Sequence, residues 1–480
     1  MTQRISKTAI FLLAFLVYFS SCKKDEIAPN TNPITTVDPP VNPPVEPLKF
    51  IPPSTQRDGD PIAGFDYLVY GDYLDSGAPY DLYLNFAGAG SNKLNRTGDN
   101  AAIKYTHTAV TAPNGVRVVT SNCLVCHSQK INGNVVIGLG NAVEDYTQNQ
   151  AGTVTLVDQT IQALYGPNSP EWDAYEPYSR GLKAVADHVV TDVKGVSPAD
   201  KLAVTLSSYI NKHDLTWLGQ SQLPIPKEVI PADVPAWWLL KKKNAMFSTG
   251  VGRGDFARVM IASNGLTVSD STKAREIDNN FDDVLAYIYS LEAPKYPNEI
   301  EESRIAPGQE LFNSKCATCH GTYGQDESYP NLLVSLDEVG TDPLLTRSNF
   351  SYSFFVDWYN SSWFSKGKNA AYLKAESGYM APPLDGIWAT APYFHNGSVP
   401  TLDDVLNSTS RPEKWKRSYG TAASDYDNEK VGWKYTVETV SGSNIVYDST
   451  LPGYGNQGHT YGDDLTVEER KDLIEYLKTL

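Results

Sequence analysis

Cys123-Leu124-Val125-Cys126-His127 and Cys316-Ala317-Thr318-Cys319-His320 repeat one arrangement: two thiols three positions apart, with an imidazole next to the second. Two such thiols can each add to one vinyl group of a haem, and the adjacent imidazole can bind the iron. The pattern therefore reads as covalent attachment of c-type haem. On a helix, positions i, i+3 and i+4 share a face, which brings the three side chains to one edge of a flat macrocycle. Two other chemistries use the same thiols: a pair of redox-active dithiols, or one zinc site from Cys123, Cys126, Cys316 and Cys319. Either would leave both following histidines without a role. The chain has five cysteines, and the fifth is Cys22, so no pair is left for a disulfide framework. The expected cofactors are two covalently attached haem c groups.

His127 and His320 are the expected proximal ligands, and the far side of each iron decides function. Two strong ligands favour electron transfer, whereas an open face admits dioxygen or peroxide. The chain has five further histidines, at 107, 188, 213, 395 and 459. For the second haem the first choice is His459, in the loop Gly455-Asn456-Gln457-Gly458-His459. Met380, in Gly378-Tyr379-Met380-Ala381-Pro382, is the thioether alternative, and His395 is the third candidate. For the first haem no histidine follows His127 until His188, and the only soft ligands between His213 and His320 are Met246 and Met260. Methionines on helices are more often core filler than ligands. The His127 iron is thus the candidate for a five-coordinate, reactive centre.

The elements that must position these groups are mainly helices. Pro307-Gly308-Gln309-Glu310-Leu311-Phe312 leads into the second motif and resembles the opening helix of a small cytochrome c domain. Thr466 and Glu469 form a capping box, and Leu473, Leu477 and Leu480 follow at helical spacing, so an amphipathic helix closes the chain. Upstream, Leu285 to Leu291 echoes Ile474 to Leu480, at nearly the same distance from its haem motif. Two expanded cytochrome c domains in tandem are expected, divided at Pro294-Lys295-Tyr296-Pro297. Val116 to Val119 reads as a strand, and helical runs are expected around 153–164 and 197–211. The fold class expected is mostly α, with irregular loops and minor β. The domains are 59–296, an N-terminal haem domain, and 297–480, a C-terminal cytochrome c domain.

Arg4 and Lys7 precede an apolar stretch, Ala9 to Phe19, that is too short to span a bilayer and reads as a signal peptide over 1–21. It ends Phe19-Ser20-Ser21-Cys22, which resembles a bacterial lipobox with Cys22 as the lipidated residue. Lys23-Lys24-Asp25-Glu26 resembles a lipoprotein export tag, which places the protein in the cell envelope as an outer-membrane lipoprotein, periplasmic or surface-facing. Residues 29–53 hold nine prolines, so 22–58 reads as the lipidated cysteine followed by a semi-rigid tether. A formal net charge of -16 argues against nucleic acid as a partner and suits a small basic redox protein or other electron donor.

Gly386-Ile387-Trp388-Ala389-Thr390-Ala391-Pro392-Tyr393-Phe394-His395-Asn396-Gly397-Ser398-Val399-Pro400-Thr401-Leu402 resembles the signature of the bacterial dihaem cytochrome c peroxidase superfamily. With Gly455 to His459 and the last helix, it is similar to the branch that contains the dihaem rubber oxygenases. The resemblance is good over roughly 300–480 and looser towards the first motif. It implies that one haem is the reactive centre and the other stores or relays an electron, with a tryptophan between them. Trp237 and Trp238, in Pro235-Ala236-Trp237-Trp238, are the candidates, against the plainer reading of a core pair. Two departures stand out: no histidine comes shortly after the first motif, and no methionine follows His395. Both fit a histidine-ligated second haem and an open first haem. The chain is shorter than the rubber oxygenases, so their polymer substrate is not carried over. The resemblance also implies a calcium ion between the domains as a possible cofactor, for which no particular loop of this sequence stands out.

The function expected is an oxidoreductase that activates peroxide or dioxygen at the His127 haem, with the His320 haem relaying electrons. The alternatives are a non-catalytic electron carrier with both irons six-coordinate, and a cytochrome tethered as redox partner to another outer-membrane complex. No acid/base residue stands in a diagnostic spacing.

Overall fold

Two helix crossings organise the chain, and each is set by a glycine. The helix Pro61–Tyr70 starts on Asp60, whose carboxylate accepts from the Ile62 and Ala63 amides, and packs on Ser271–Ser290, which is capped by Asp270. A Cβ on Gly64 would lie 1.9 Å from the Asp283 carbonyl oxygen, so only glycine permits this approach. In the C-terminal half, Glu302–Lys315 packs on Val467–Leu477, and a Cβ on Gly308 would lie 2.0 Å from the Asp472 oxygen. Beside these crossings, Phe65 meets Tyr287 at 5.2 Å between ring centroids, and Phe312 meets Tyr476 at 5.3 Å. The expected capping box is present: Thr466 Oγ1 accepts from the Glu469 amide at 3.3 Å, and Glu469 accepts from the Thr466 amide at 2.8 Å.

The computed structural model describes residues 47–266 and 268–480. The signal peptide, Cys22 and the proline-rich residues up to 46 lie outside the described residues. The end of the expected tether does not: Leu48–Phe50 pairs antiparallel with Leu332–Val334, which also pairs with Tyr379–Met380. Ile51 is buried, and Arg57 bridges Asp255 and Asp278. Residues 48–57 thus belong to the folded body. Their apolar and charged side chains find partners there, and Pro52 and Pro53 fall just past the strand, where no ladder donor is needed.

The fold is mixed rather than mostly α. Among the described residues, 39% are helical and 13% are in strands, the latter divided among six small sheets. Arg117–Ser121 is a strand, as Val116 to Val119 led us to expect, and pairs with His107–Thr111 and Ala78–Pro79. Helices occupy Ala151–Tyr165 and Ala199–Ser208. Ser128–Ile131 and Asn134–Ile137 form a hairpin through Asn132-Gly133, both at positive φ (49° and 81°), the pairing that a two-residue turn favours. A further sheet joins Lys414–Arg417 to Tyr435–Val437 and Val446–Asp448, between the Pro-Tyr-Phe-His segment and His459.

The cores interleave across residues 294–297. One gathers Leu68, Leu285 and Ile288 from the N-terminal half with Trp358, Tyr359 and Leu373 from the C-terminal half. The other gathers Phe312, Leu473 and Tyr476 with Leu139, Ala236 and Trp238. Each half fills part of the other's interior, so the two haem motifs are supported from both sides of the expected boundary. Among the described residues no helix is long and apolar enough to cross a membrane.

Candidate haem centres

The second motif begins where the Glu302–Lys315 helix ends. Cys316 is its last capping residue, Ala317–His320 makes one further turn, and Gly321 (φ +85°) redirects the chain. His320 Nδ1 lies 2.7 Å from the Pro382 carbonyl oxygen, which fixes Nδ1 as the protonated nitrogen and leaves Nε2 free to bind a metal. Burial pushes the His320 pKa down, so the ring is neutral, as a ligand must be.

His459 faces it. The two ring centroids are 6.2 Å apart at an interplanar angle of 62°. Two imidazoles bound to one metal ion from opposite sides stand roughly 6 Å apart, given about 2 Å per metal–nitrogen bond plus the distance from nitrogen to ring centre. His459 Nδ1 is buried without a hydrogen-bond partner, and its pKa is pushed down to about 3 by burial and by His320. These residues fit a haem iron between them. The other two distal candidates lie in different surroundings. Met380 packs with Ile51, Ala245 and Leu333 in a separate apolar cluster. The His395 ring stacks on Tyr379 at 4.0 Å, with Nε2 enclosed and unpartnered.

The first motif is built differently. Asn122 accepts from the Leu124 amide, Cys123–Val125 forms a single 3-10 turn, and the hairpin from Ser128 follows at once. No α-helix carries this motif, unlike the helical presentation expected. The Cys126 sulfur lies 3.3 Å from the Tyr146 hydroxyl, and the Cys123 amide donates to the Tyr73 hydroxyl at 3.4 Å. His127 stacks on Trp237 at 4.5 Å and 21°. Its Nδ1 is buried without a partner, and burial pushes its pKa down to about 4. The stack is held by the backbone: the Gly138 amide donates to the His127 oxygen, and the Trp237 amide donates to the Gly138 oxygen, both at 2.8 Å.

Trp238 turns the other way. Its indole N–H donates to the Asp385 carbonyl at 2.8 Å, three residues past the Pro382 carbonyl that holds His320. The adjacent indoles therefore touch one motif each: Trp237 through its stack on His127, and Trp238 through the segment that orients His320.

Burial pushes Cys123 and Cys316 up to about 11 and also raises Cys126 and Cys319, whereas a redox-active dithiol requires a lowered pKa. Among the described residues no group of three or more His, Cys, Asp or Glu side chains could hold a metal ion, so the four motif cysteines are not gathered into a shared zinc site. Of the remaining histidines, His107 opens the strand His107–Thr111 and lies against Tyr83, His188 is half-buried, and His213 is exposed.

Sequence reasoning missed Tyr73, Tyr146 and Arg411, each distant in sequence from the group it supports. Arg411 donates to the carbonyls of Asn456, Gly458 and His459. A lone arginine before a proline carries no pattern that would have found it.

Residues 378–416 match a family model described as RoxA-like, cytochrome c-like. This segment includes Pro382, the carbonyl partner of His320, and the Pro-Tyr-Phe-His run. Two proteins of Sinorhizobium fredii are similar to the chain. The uncharacterized protein y4iM is 26% identical over 309 residues, covering 55% of this chain and 68% of its own length. The uncharacterized protein y4iJ is 38% identical over 253 residues, covering 40% of this chain and 41% of its own length. Among solved structures, a chain of Kuenenia stuttgartiensis hydrazine synthase, pressurized with 20 bar xenon, overlays on 55% of this chain and 78% of its own. The identity is 18% and the TM-score 0.27, too loose an overlay to argue a shared fold. The matched segment is similar to part of a cytochrome c-like domain, and a domain of that kind implies covalently bound haem c. Together with the two C-x-x-C-H motifs, this similarity supports a haem-based oxidoreductase.

Proposed function

We propose that the chain is a dihaem c-type cytochrome of the peroxidase superfamily, similar to its oxygenase branch, which activates peroxide or dioxygen at the haem held by Cys123, Cys126 and His127. The second haem, on Cys316, Cys319 and His320, is closed by His459 and serves electron relay. The observation that carries this reading is the contrast between the two motif histidines: His320 faces a second imidazole at 6.2 Å, while His127 faces an indole. The glycine-set helix crossing that occurs once in each half supports two haem domains.

Bound haem would supply one-electron and oxygen chemistry. The chain's own part is to hold and connect. Pro382 O fixes the His320 ring, Gly138 and Trp237 fix the His127 ring, and the Trp237–Trp238 pair offers an aromatic route between the two neighbourhoods. The acidic surface suits a small basic electron donor, and the Arg4–Cys22 leader supports attachment to the outer membrane through a lipid anchor.

Haem stoichiometry tests the framework. The purified protein is expected to carry two haems per chain by pyridine haemochrome assay and intact mass, and the double substitution Cys316→Ala with Cys319→Ala is expected to leave one. One haem per chain in the unsubstituted protein would refute the dihaem reading. Peroxide-dependent oxidation of a reduced small cytochrome, run beside oxygen consumption, then decides between peroxidase and oxygenase. Activity in neither assay would leave the electron carrier.

A further inference from the structure

Arg411 is partly buried beside the second haem site, with every donor in use. A guanidinium has five N–H bonds to give. Nε donates to the Asp404 carbonyl at 2.9 Å, Nη1 to Asn456 at 2.8 Å and Gly458 at 2.6 Å, and Nη2 to Val405 at 2.9 Å and His459 at 3.1 Å. All five acceptors are backbone carbonyls. None is a carboxylate: the direct partners are peptide dipoles, and the Asp463 and Asp404 carboxylates act on the charge only from a distance. The guanidinium carbon lies 4.9 Å from the centre of the Phe394 ring, whose own centre is 5.7 Å from that of His459. A guanidinium does not lose its proton in a protein, so the group is a cation at neutral pH.

The loop that Arg411 grips needs holding. His459 has φ +46°, a left-handed conformation that a non-glycine residue keeps only when its surroundings enforce it. From the other side, the His459 amide donates to the Val339 oxygen at 2.7 Å. Gly458 sits so close to Gly340 that a Cβ would fall 2.2 Å from the Gly340 carbonyl carbon. The loop 456–459 is thus clamped between the Val339–Gly340 turn and the Arg411 fork.

We propose that Arg411 is the positioning residue of the second haem site: it fixes the 456–459 loop so that the His459 imidazole faces His320, and its positive charge raises the reduction potential of that site. A cation near a redox centre favours the electron-rich state, and the effect is largest where water is excluded. This inference rests on the reading of His459 as a ligand and adds the group that enforces it.

The test uses the holoprotein with Arg411→Lys, Arg411→Gln and His459→Ala, read by electron paramagnetic resonance and by redox titration of the second haem. Arg411→Lys keeps the charge but cannot span both the Asp404–Val405 carbonyls and the loop. It is expected to give a mixture of low- and high-spin second haem with a potential near that of the wild type. Arg411→Gln loses fork and charge, and is expected to give a larger high-spin fraction and a lowered potential. In the unsubstituted protein, the Gly455 and His459 amides are expected to exchange hydrogen as slowly as core amides. That measurement stands even if a variant fails to fold, and exchange at the rate of an open loop would overturn the clamp. If His459→Ala alters the second-haem spectrum while both Arg411 variants keep wild-type spin state and potential, the positioning role is wrong and the ligand reading survives. If His459→Ala changes nothing, the ligand reading falls and the proposal with it.

Discussion

His459 shows what the second haem site asks of single residues: a ring aimed at His320, a left-handed backbone, and a neighbour, Gly458, with no space for a side chain. Its position before the closing helix was legible because a histidine in a glycine-rich loop stands out. The reason for the glycines was not legible, since Gly340 lies more than a hundred residues earlier and meets Gly458 only in the folded chain. Lys201 offers a separate test at this scale. It is 2% exposed, its ammonium has no hydrogen-bond partner, and desolvation pushes its pKa from the ordinary 10.5 down to about 8. Between pH 8 and 10.5 the unfolded chain binds a proton that the native chain does not, so stability rises with pH across that window. Lys201→Met is expected to stabilise the protein at pH 7 by about 1–3 kcal/mol, with the gain shrinking above pH 8. Denaturant unfolding at pH 7 and pH 10 measures it, and a gain independent of pH would contradict the assignment.

At the scale of elements, the helix crossings were half visible. The Leu-Tyr echo between 285–291 and 474–480 marked the two closing helices, and the structure gives each a partner met through a glycine, Gly64 or Gly308. Gly64 was not singled out because the helix Pro61–Tyr70 lies far ahead of the first haem motif, whereas Gly308 leads straight into the second. Gly308→Ala must push the helices apart or distort the Asp472 carbonyl, and is expected to destabilise by about 2–3 kcal/mol. Gly152→Ala, in the helix Ala151–Tyr165 with open space around the new methyl, is expected to stabilise by about 0.5–1 kcal/mol. Thermal unfolding of the two variants side by side checks both signs. The strands were under-read for a physical reason. Most are two to five residues long and are held by partners distant in the chain, so their alternation is too brief to register. Asn132-Gly133 was a readable hairpin signal that fell between motif and helix readings.

At the scale of the molecule, the two motifs were visible as chemistry, but the architecture that joins them was not. A division at 294–297 predicts two separate cores; the observed cores exchange residues across it, with Trp238 packed among C-terminal side chains and Trp358 among N-terminal ones. Long-range packing of this kind leaves no periodicity to read. It also sets Trp237 on His127 and Trp238 on the segment that orients His320, so Trp237→Phe should separate connection from stability. Loss of part of the buried indole is expected to cost about 1–3 kcal/mol while both haems stay attached, and electron transfer between them is expected to slow. Stopped-flow reduction of the two haem bands reads this directly, and unchanged transfer rates would remove Trp237 from the route.

The central claim is that the two haems differ: the second is closed by His459 and the first is open. Electron paramagnetic resonance of the oxidised and half-reduced holoprotein, before and after addition of cyanide, tests it most directly. The account predicts one low-spin haem with two imidazole ligands that cyanide leaves unchanged, and one high-spin haem that cyanide converts to low spin. Two low-spin haems in both redox states, neither altered by cyanide, would contradict it.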